Sequence, residues 1–399
     1  MKINVCVIFG GRTTEHEVSV ISANQAMHAL DSEKYNVIPL YITKEGVMYT
    51  GNDLFNISTY TDMKFLTGRC DRAVVYNNGK EVVMDLLKKP LFSGIKPVRL
   101  DVAIPVVHGT NVEDGSIQGW LETLNLPYAG CDVISSALGM DKVAMKNILS
   151  ANGIPVLPCK YFYTKQWVLE KDKLIEDIET LEYPLIVKPA NLGSSIGIAL
   201  AKNREELTSA IGDALGYAEK VLVEHAISEL REINCSVLGD FNDAKASVCE
   251  EPVSASGLLD YEEKYMSGSK SSKSSGMASA QRIIPAKLDE ETTKKIQGYC
   301  IDTFKALGCA GVSRIDCMID GKDGKIYVNE INTIPGSLSF YLWEKAGLSF
   351  EELMNELVNI ALRRSREKAN LTFSFDTNLL EMHGGAKGVK GGVKGGIKN

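Results

Sequence analysis

The 399-residue sequence has no basic excess: 44 Lys and Arg stand against 51 Asp and Glu, for a formal charge of −7. That balance speaks against a nucleic-acid-binding protein, whose footprint is a surplus of positive charge. No apolar run comes near the roughly eighteen residues that a membrane span needs. The first apolar stretch is short and turns at once into Gly10-Gly11-Arg12, with no small-residue cleavage site. A secretory leader is therefore not expected, and a cytoplasmic protein is. The nine cysteines (positions 6, 70, 131, 159, 235, 249, 300, 309 and 317) are odd in number and contain no C-x-x-C pair. Free thiols in a reducing compartment fit this pattern better than a zinc site or a disulfide framework. Two nucleotide signatures are missing as well. There is no G-x-x-x-x-G-K-[ST], and Phe9-Gly10-Gly11-Arg12 does not continue into G-x-G-x-x-G.

What is present is an ordinary globular composition, 44% hydrophobic and 24% charged, long enough for two or three domains. Residues 3–9 read as a strand, residues 18–30 as an amphipathic helix, residues 36–42 and 101–107 as further strands, and residues 115–124 as another helix. This alternation predicts an α/β unit of about 140 residues. A helix opens at Asp141-Lys142 and stops at Gly153, with Pro155 beyond. A second α/β unit follows, with strands at 184–188, 195–201 and 220–225 and a helix at 203–215. From Arg231 onward the pattern becomes strands, a polar loop over 254–281, a helix near 289–307, a hairpin at 313–331 and a helix at 349–365. Residues 384–399, mostly glycine and lysine, are expected to be disordered.

The hairpin carries the strongest chemical signal. Asp320-Gly321 and Asp323-Gly324 mark its turn. Folding about residue 323 sets Asp316 opposite Glu330 and Arg314 opposite Asn332, all on one face. Two facing carboxylates repel unless positive charge intervenes. Magnesium held by Asp316, Glu330 and Asn332 would supply that charge; a solvated face neutralised by Arg314 is the alternative. The segment 183–197 (YPLIVKPANLGSSIG) delivers Lys188 at a strand end, followed by Gly193, Ser194 and Ser195, whose backbone N–H groups suit phosphate oxygens. A plain strand with a Gly-Ser turn reads equally well. Glu224 ends an apolar strand and Glu232 opens an alternating one. GGRTTEHEVS at 10–19 and HGTNVEDGSIQG at 108–119 both follow strands, where open α/β sheets place their crevice. Glu15, His108 and Glu113 are thus candidates for substrate contacts, whereas Asp114 suits the start of a helix.

In this order the segments GG-x-x-x-E-x-EVS, HG-x-x-x-EDG-x-x-QG, MDK, VKP-x-x-x-GSS-x-G, DYEEKY and NEINT-x-PG resemble the D-alanine–D-alanine ligase family of the ATP-grasp superfamily, from about residue 2 to 364. The resemblance implies α/β and α+β architecture. A Rossmann-like N-terminal domain (1–139) would be followed by a two-subdomain ATP-grasp fold (140–227 and 228–366), with a closing loop at 254–281 and a tail from 367. It implies ATP and two magnesium ions, manganese being possible, with D-alanine as substrate and a homodimer as assembly. Residue by residue, Lys142, Lys188, Ser195, Glu224, Glu232 and Lys264 match nucleotide contacts. Asp316, Glu330 and Asn332 match metal ligands, and Arg314 matches a phosphate contact. Glu15, Ser194 and Tyr265 match a hydrogen-bonded trio at the substrates, and His108 lies at the first amino-acid subsite, with Glu113 a further candidate for substrate binding.

Three departures stand out. Val112 replaces a glycine before EDG. The closing loop is long and rich in Ser, Gly and Lys. The stretch after Pro335-Gly336 is about four residues short, so Tyr341 takes the place of a carboxylate-binding serine and Gly336, Ser337 or Tyr341 would have to border the second substrate. A D-serine or D-lactate acceptor is therefore an alternative to D-alanine, although ester-forming members carry a histidine in the loop where Tyr265 stands. A non-catalytic nucleotide-binding paralogue is a further alternative.

Overall fold

The computed structural model describes residues 2–88, 94, 96–193, 196–252 and 282–373. The expected closing loop, with Lys264 and Tyr265, the serines Ser194 and Ser195, and the Gly/Lys tail lie outside the described residues.

Three sheets organise the chain. The first has seven strands: β1 (Ile3–Gly10), β2 (Tyr35–Ile42), β3 (Met48–Thr50), β4 (Asp71–Asn77), β5 (Val82–Leu86), β6 (Val98–Arg99) and β7 (Val102–Val106), in the order β6-β5-β4-β3-β2-β1-β7. β1 pairs in parallel with both of its neighbours, β2 and β7. Its sequence explains this: Val5 to Phe9 are buried without alternation, as a parallel strand covered on both faces requires. The cover includes the helix His16–Ala29 and, from the far end of the chain, the helix Phe350–Lys368, whose Leu353, Met354, Leu357 and Val358 join the same core. β1 ends at Gly10 with φ +86°, where a Cβ would lie 2.2 Å from the Ile42 carbonyl oxygen. Only glycine lets the chain turn there into the loop that carries Glu15.

The second sheet is antiparallel, in the order β10-β9-β11-β8, from β8 (Cys159–Tyr163), β9 (Leu185–Pro189), β10 (Ala199–Ala201) and β11 (Lys220–His225). β10 is shorter than the expected 195–201, because the chain is still turning through Gly197, at φ +73°. The third sheet runs β14-β13-β12-β15-β16, from β12 (Leu230–Gly239), β13 (Ala244–Pro252), β14 (Arg282–Ile283), β15 (Gly311–Asp320) and β16 (Ile326–Asn332). One of its faces packs on the helices Lys142–Ala151 and Glu290–Ala306.

The helix Val133–Met140 lies close on β16: a Cβ on Gly139 would come within 2.7 Å of Thr333 Cγ2. The next helix is capped by Asp141, which accepts from the Val143 and Ala144 N–H groups. Its first residue, Lys142, donates its own N–H to the Ala190 carbonyl at 2.8 Å. The helix start is thereby held between the second sheet and the hairpin.

Candidate active site

The pairing of β15 with β16 sets Arg314 opposite Asn332 and Asp316 opposite Glu330, the register read from the sequence. Toward the turn it slips by one residue, so that Cys317 faces Val328 and Asn329 is extra. Such a bulge re-aims a side chain, and Asn329 Oδ1 accepts from Lys188 Nζ at 3.1 Å. On the carboxylate face Arg314 forms a two-pronged pair with Asp316, Nε to Oδ1 at 2.6 Å and Nη2 to Oδ2 at 2.7 Å. Asn332 donates to Asp316 Oδ2 at 3.2 Å. Lys142 Nζ stands 3.2 Å from Glu330. The two facing carboxylates therefore each have a cation, and their donors are oxygens only.

This face separates two cavities, and Glu330 lines both. The larger, of about 410 Å³, lies between the second and third sheets. Ile186, Leu230 and Met318 give it apolar walls, while Lys188, Glu224 and Glu232 supply polar edges. Glu224 is 1% exposed, contacts Lys188 through Oε1, and lies 2.8 Å from Lys146 through Oε2. Burial alone would raise its carboxyl, but Lys188 and Lys146 outweigh that and hold it at about 2. Lys146 was not picked out from the sequence. The signal was available: it follows Lys142 by one helical turn, on the side that buries Val143 and Leu149.

The second cavity is lined by Glu15, His108, Glu113, Arg314, Asn332 and Gly336, with Lys142 at its edge. His108 is buried, and its Nδ1 lies 2.8 Å from the Ile334 carbonyl oxygen, which can only accept. Nδ1 therefore carries the proton. Burial pulls the imidazole down to about 4, so it is neutral near pH 7 and Nε2 accepts. Nε2 takes its hydrogen from Ser22 Oγ at 3.0 Å, and Ser22 in turn accepts the Ser337 N–H at 2.9 Å. Glu113 accepts from the Gly109 N–H, from Thr333 Oγ1 and from the Ile334 N–H at 2.8–3.1 Å. Burial, reinforced by the nearby Glu15 charge, pushes its carboxyl up to about 8. Asp114, as expected, serves the helix start, accepting from the Ser116 N–H at 3.1 Å. Glu15 reaches the same place from the other side: a Cβ on Gly193 would meet its Oε2 at 3.1 Å. Val112 is 2% exposed and fills the space above Gly11, where a Cβ would be 2.4 Å from Val112 Cγ1.

The shortened turn has an unusual backbone. Ser337, Leu338 and Ser339 are all left-handed, at φ 52°, 50° and 51°. Each non-glycine residue there costs on the order of 1–2 kcal/mol. The Ser337 and Ser339 hydroxyls are buried and have no hydrogen-bond partner among the described residues. Tyr341 is not part of the second cavity's wall among the described residues; its hydroxyl donates to Glu250 Oε1 at 3.1 Å.

Comparison with known proteins matches two family models, the "D-ala D-ala ligase N-terminus" over residues 4–131 and the "D-ala D-ala ligase C-terminus" over residues 148–359. The chain belongs to the D-alanine–D-alanine ligase family. It is 40% identical over 382 residues to a D-alanine–D-alanine ligase of Thermosipho africanus, covering 95% of this chain and 99% of the relative. Among solved structures it resembles the D-alanine–D-alanine ligase of Coxiella burnetii (30% identity, TM-score 0.77, 92% of this chain and 96% of that one). It also resembles the VanG D-Ala:D-Ser ligase of Enterococcus faecalis (33% identity, TM-score 0.75, 90% and 100%). The three sheets are therefore those of a ligase of the ATP-grasp fold. Among the described residues no helix is long and apolar enough to cross a membrane.

Proposed function

We propose that this chain joins two D-alanine molecules at the expense of ATP, for cell-wall precursor synthesis, through an acyl phosphate. The observation that carries the reading is the Arg314–Asp316–Glu330–Asn332 face standing between two cavities of different character. The 410 Å³ cavity suits adenine and ribose, with apolar walls for the base and Glu224 and Glu232 at the edges. Lys142 and Lys188, with Ser195 from the resemblance, direct the phosphates toward the hairpin. Asp316, Glu330 and Asn332 would hold divalent cations; an oxygen-only donor set with two carboxylates in register fits magnesium, with manganese as a substitute. When bound, the ions would neutralise phosphate charge.

On this reading the first D-alanine lies between His108, Glu15 and Arg314, with Glu113 holding the turn beneath it. Its carboxylate oxygen attacks the γ-phosphorus, and ADP leaves. The amine of the second D-alanine, having lost its ammonium proton, attacks the acyl carbon, and phosphate departs through a tetrahedral intermediate. Arg314 faces the charge that develops on the transferred group, where most phosphoryl-transfer catalysis resides. Glu15, Ser194 and Tyr265 order the acceptor side, Lys264 closes with them, and Gly336 and Ser337 border the acceptor. Closure keeps water from the acyl phosphate. A second reading, with D-serine as acceptor, is favoured by the altered turn after Gly336 and by the likeness to a D-Ala:D-Ser ligase.

The test is product analysis after incubation with ATP, magnesium and a panel of D-amino and D-hydroxy acids. The expected result is D-alanyl-D-alanine with one ADP and one phosphate for each product. Preferential D-alanyl-D-serine would establish the second reading, and absence of any D-alanine-dependent ADP release would refute both.

A further inference from the structure

The turn beside Gly336 is clamped at both ends by one hydrogen-bond relay. His108 Nδ1 donates to the Ile334 carbonyl at 2.8 Å, Ser22 Oγ donates to His108 Nε2 at 3.0 Å, and the Ser337 N–H donates to Ser22 Oγ at 2.9 Å. The relay leaves the turn at Ile334 and returns to it at Ser337. Gly336, which lines the second cavity, is held between them. The direction of the relay is fixed, because a carbonyl only accepts and a backbone N–H only donates. Ser22 makes it continuous, giving its one proton to the imidazole and a lone pair to the amide.

The turn needs such holding. Ser337, Leu338 and Ser339 are left-handed at φ 52°, 50° and 51°, and residues of this kind stay so only where their surroundings over-determine them. Two of the turn's hydrogen bonds are internal, Leu338 N–H to the Pro335 carbonyl at 2.8 Å and Phe340 N–H to the Ser337 carbonyl. From outside, Leu338 packs into the core that buries β1, and Ser22 accepts the Ser337 N–H. Ser22 and Ser337 are each 1% exposed, so water does not replace the bond if it is unmade. Ser22 belongs to the helix His16–Ala29, seven residues beyond Glu15. That spacing is about two turns and about 10 Å along the axis, on the same face. One helix therefore fixes both the carboxylate beside the donor and the turn beside the acceptor.

We propose that Ser22 is a positioning residue for the acceptor: through Ser337 it keeps the left-handed turn in the shape that aims the second amino acid's amine. It touches neither substrate. This rests on the ligase reading above and deepens it. Loss of Ser22 should fall on attack at the acyl phosphate and spare the formation of that intermediate.

Hydroxylamine separates the two steps. Its nitrogen attacks the acyl carbon, phosphate leaves and the nitrogen sheds a proton, giving D-alanine hydroxamate. It has no carboxylate or side chain, so it needs no turn to aim it. D-Alanine, ATP, magnesium, hydroxylamine and the acceptor preferred in the product panel are mixed at fixed concentrations. The ratio of dipeptide to hydroxamate is read by mass spectrometry and does not depend on how much enzyme is folded. Ser22→Ala should lower the ratio about tenfold, the worth of a buried hydrogen bond whose donor is left unmet. The D-alanine KM for hydroxamate formation should hold within about twofold. Ser22→Cys, close in size and a weaker acceptor, should lower the ratio about threefold; it is read alone where Ser22→Ala does not fold. A ratio within about twofold of wild type in the folded variants overturns the assignment, whether or not both rates fall. A raised KM for hydroxamate formation also overturns it, since Ser22 would then act on the donor. Wild-type enzyme with no D-alanine-dependent ADP release refutes the ligase reading, and this inference falls with it.

Discussion

Replacing Glu224 by Gln perturbs a site where two lysines share a single buried carboxylate. Lys146 and Lys188 have side chains only 3% and 9% exposed, against 1% for Glu224. In the variant both ammonium groups stay buried without an anion. Breaking a buried ion pair from one side costs about 3–5 kcal/mol. The protonation equilibrium gives a second route to the magnitude. The carboxyl lies at about 2 in the folded chain against an ordinary 4.5, which at 1.36 kcal/mol for each tenfold is about 3 kcal/mol. The sign follows from the lowered value: the stabilisation is complete above pH 4.5 and is lost as pH falls through about 2. Urea unfolding of wild type and variant near pH 7.5, followed by circular dichroism and by fluorescence, measures the difference. Trp167, stacked on Phe162 of β8, reports on this part of the chain. The expected loss is about 3–5 kcal/mol. Part of the wild-type fall between about pH 5 and pH 3 should be missing in Glu224→Gln. A loss below about 1 kcal/mol with parallel acid profiles would refute the reasoning, since an exposed pair contributes no more than that.

Asp316→Asn and Glu330→Gln should each abolish product formation in the D-alanine assay while circular dichroism stays unchanged. The sequence alone suggests that removing either carboxylate relieves repulsion and leaves stability the same or higher. The structure instead pairs Asp316 to a buried Arg314, so Asp316→Asn should lower stability by about 3 kcal/mol, more than Glu330→Gln, whose side chain is 19% exposed. His108 is neutral in the folded chain down to about 4 against an ordinary 6.5, so on acidification the unfolded chain takes the proton first and stability falls from pH 6.5 toward 4. Between pH 7.5 and 5 wild type should lose about 2 kcal/mol more than His108→Asn; identical slopes would place the histidine in a wetter site than the structure gives it.

The parts of the site legible in the sequence were those set by local geometry. Period-two alternation and a Gly-marked turn fix which residues oppose each other, so Asp316, Glu330, Arg314 and Asn332 could be paired by counting. The same counting missed Asn329, because a bulge near the turn leaves no mark in the pattern. Lys146 needed the helix to be docked before its ammonium had a reason to be buried. Tyr341 stands beside the turn in sequence, but its hydroxyl is spent on Glu250 of β13, 91 residues away, which no local pattern shows. Ser22 is silent in the sequence because its contacts, His108 and Ser337, are 86 and 315 residues away.

The helix Phe350–Lys368 and the turn at Ile334 complete a core that begins at Ile3, which bears on how the protein is made. A ribosome releases the first sheet early, yet part of the cover of Val5 to Phe9, the helix Phe350–Lys368, and the Ile334 N–H that Glu113 accepts arrive much later. Glu113 and Ile334 are 221 residues apart; at about 10 residues per second that interval is about 20 seconds. Throughout it the nascent chain exposes an apolar sheet face with strand edges, the surface on which aggregation starts. Translation that stalls beyond residue 140 would thus release a fragment unable to finish this core, because Leu353, Met354, Leu357 and Val358 of the helix Phe350–Lys368 belong to it.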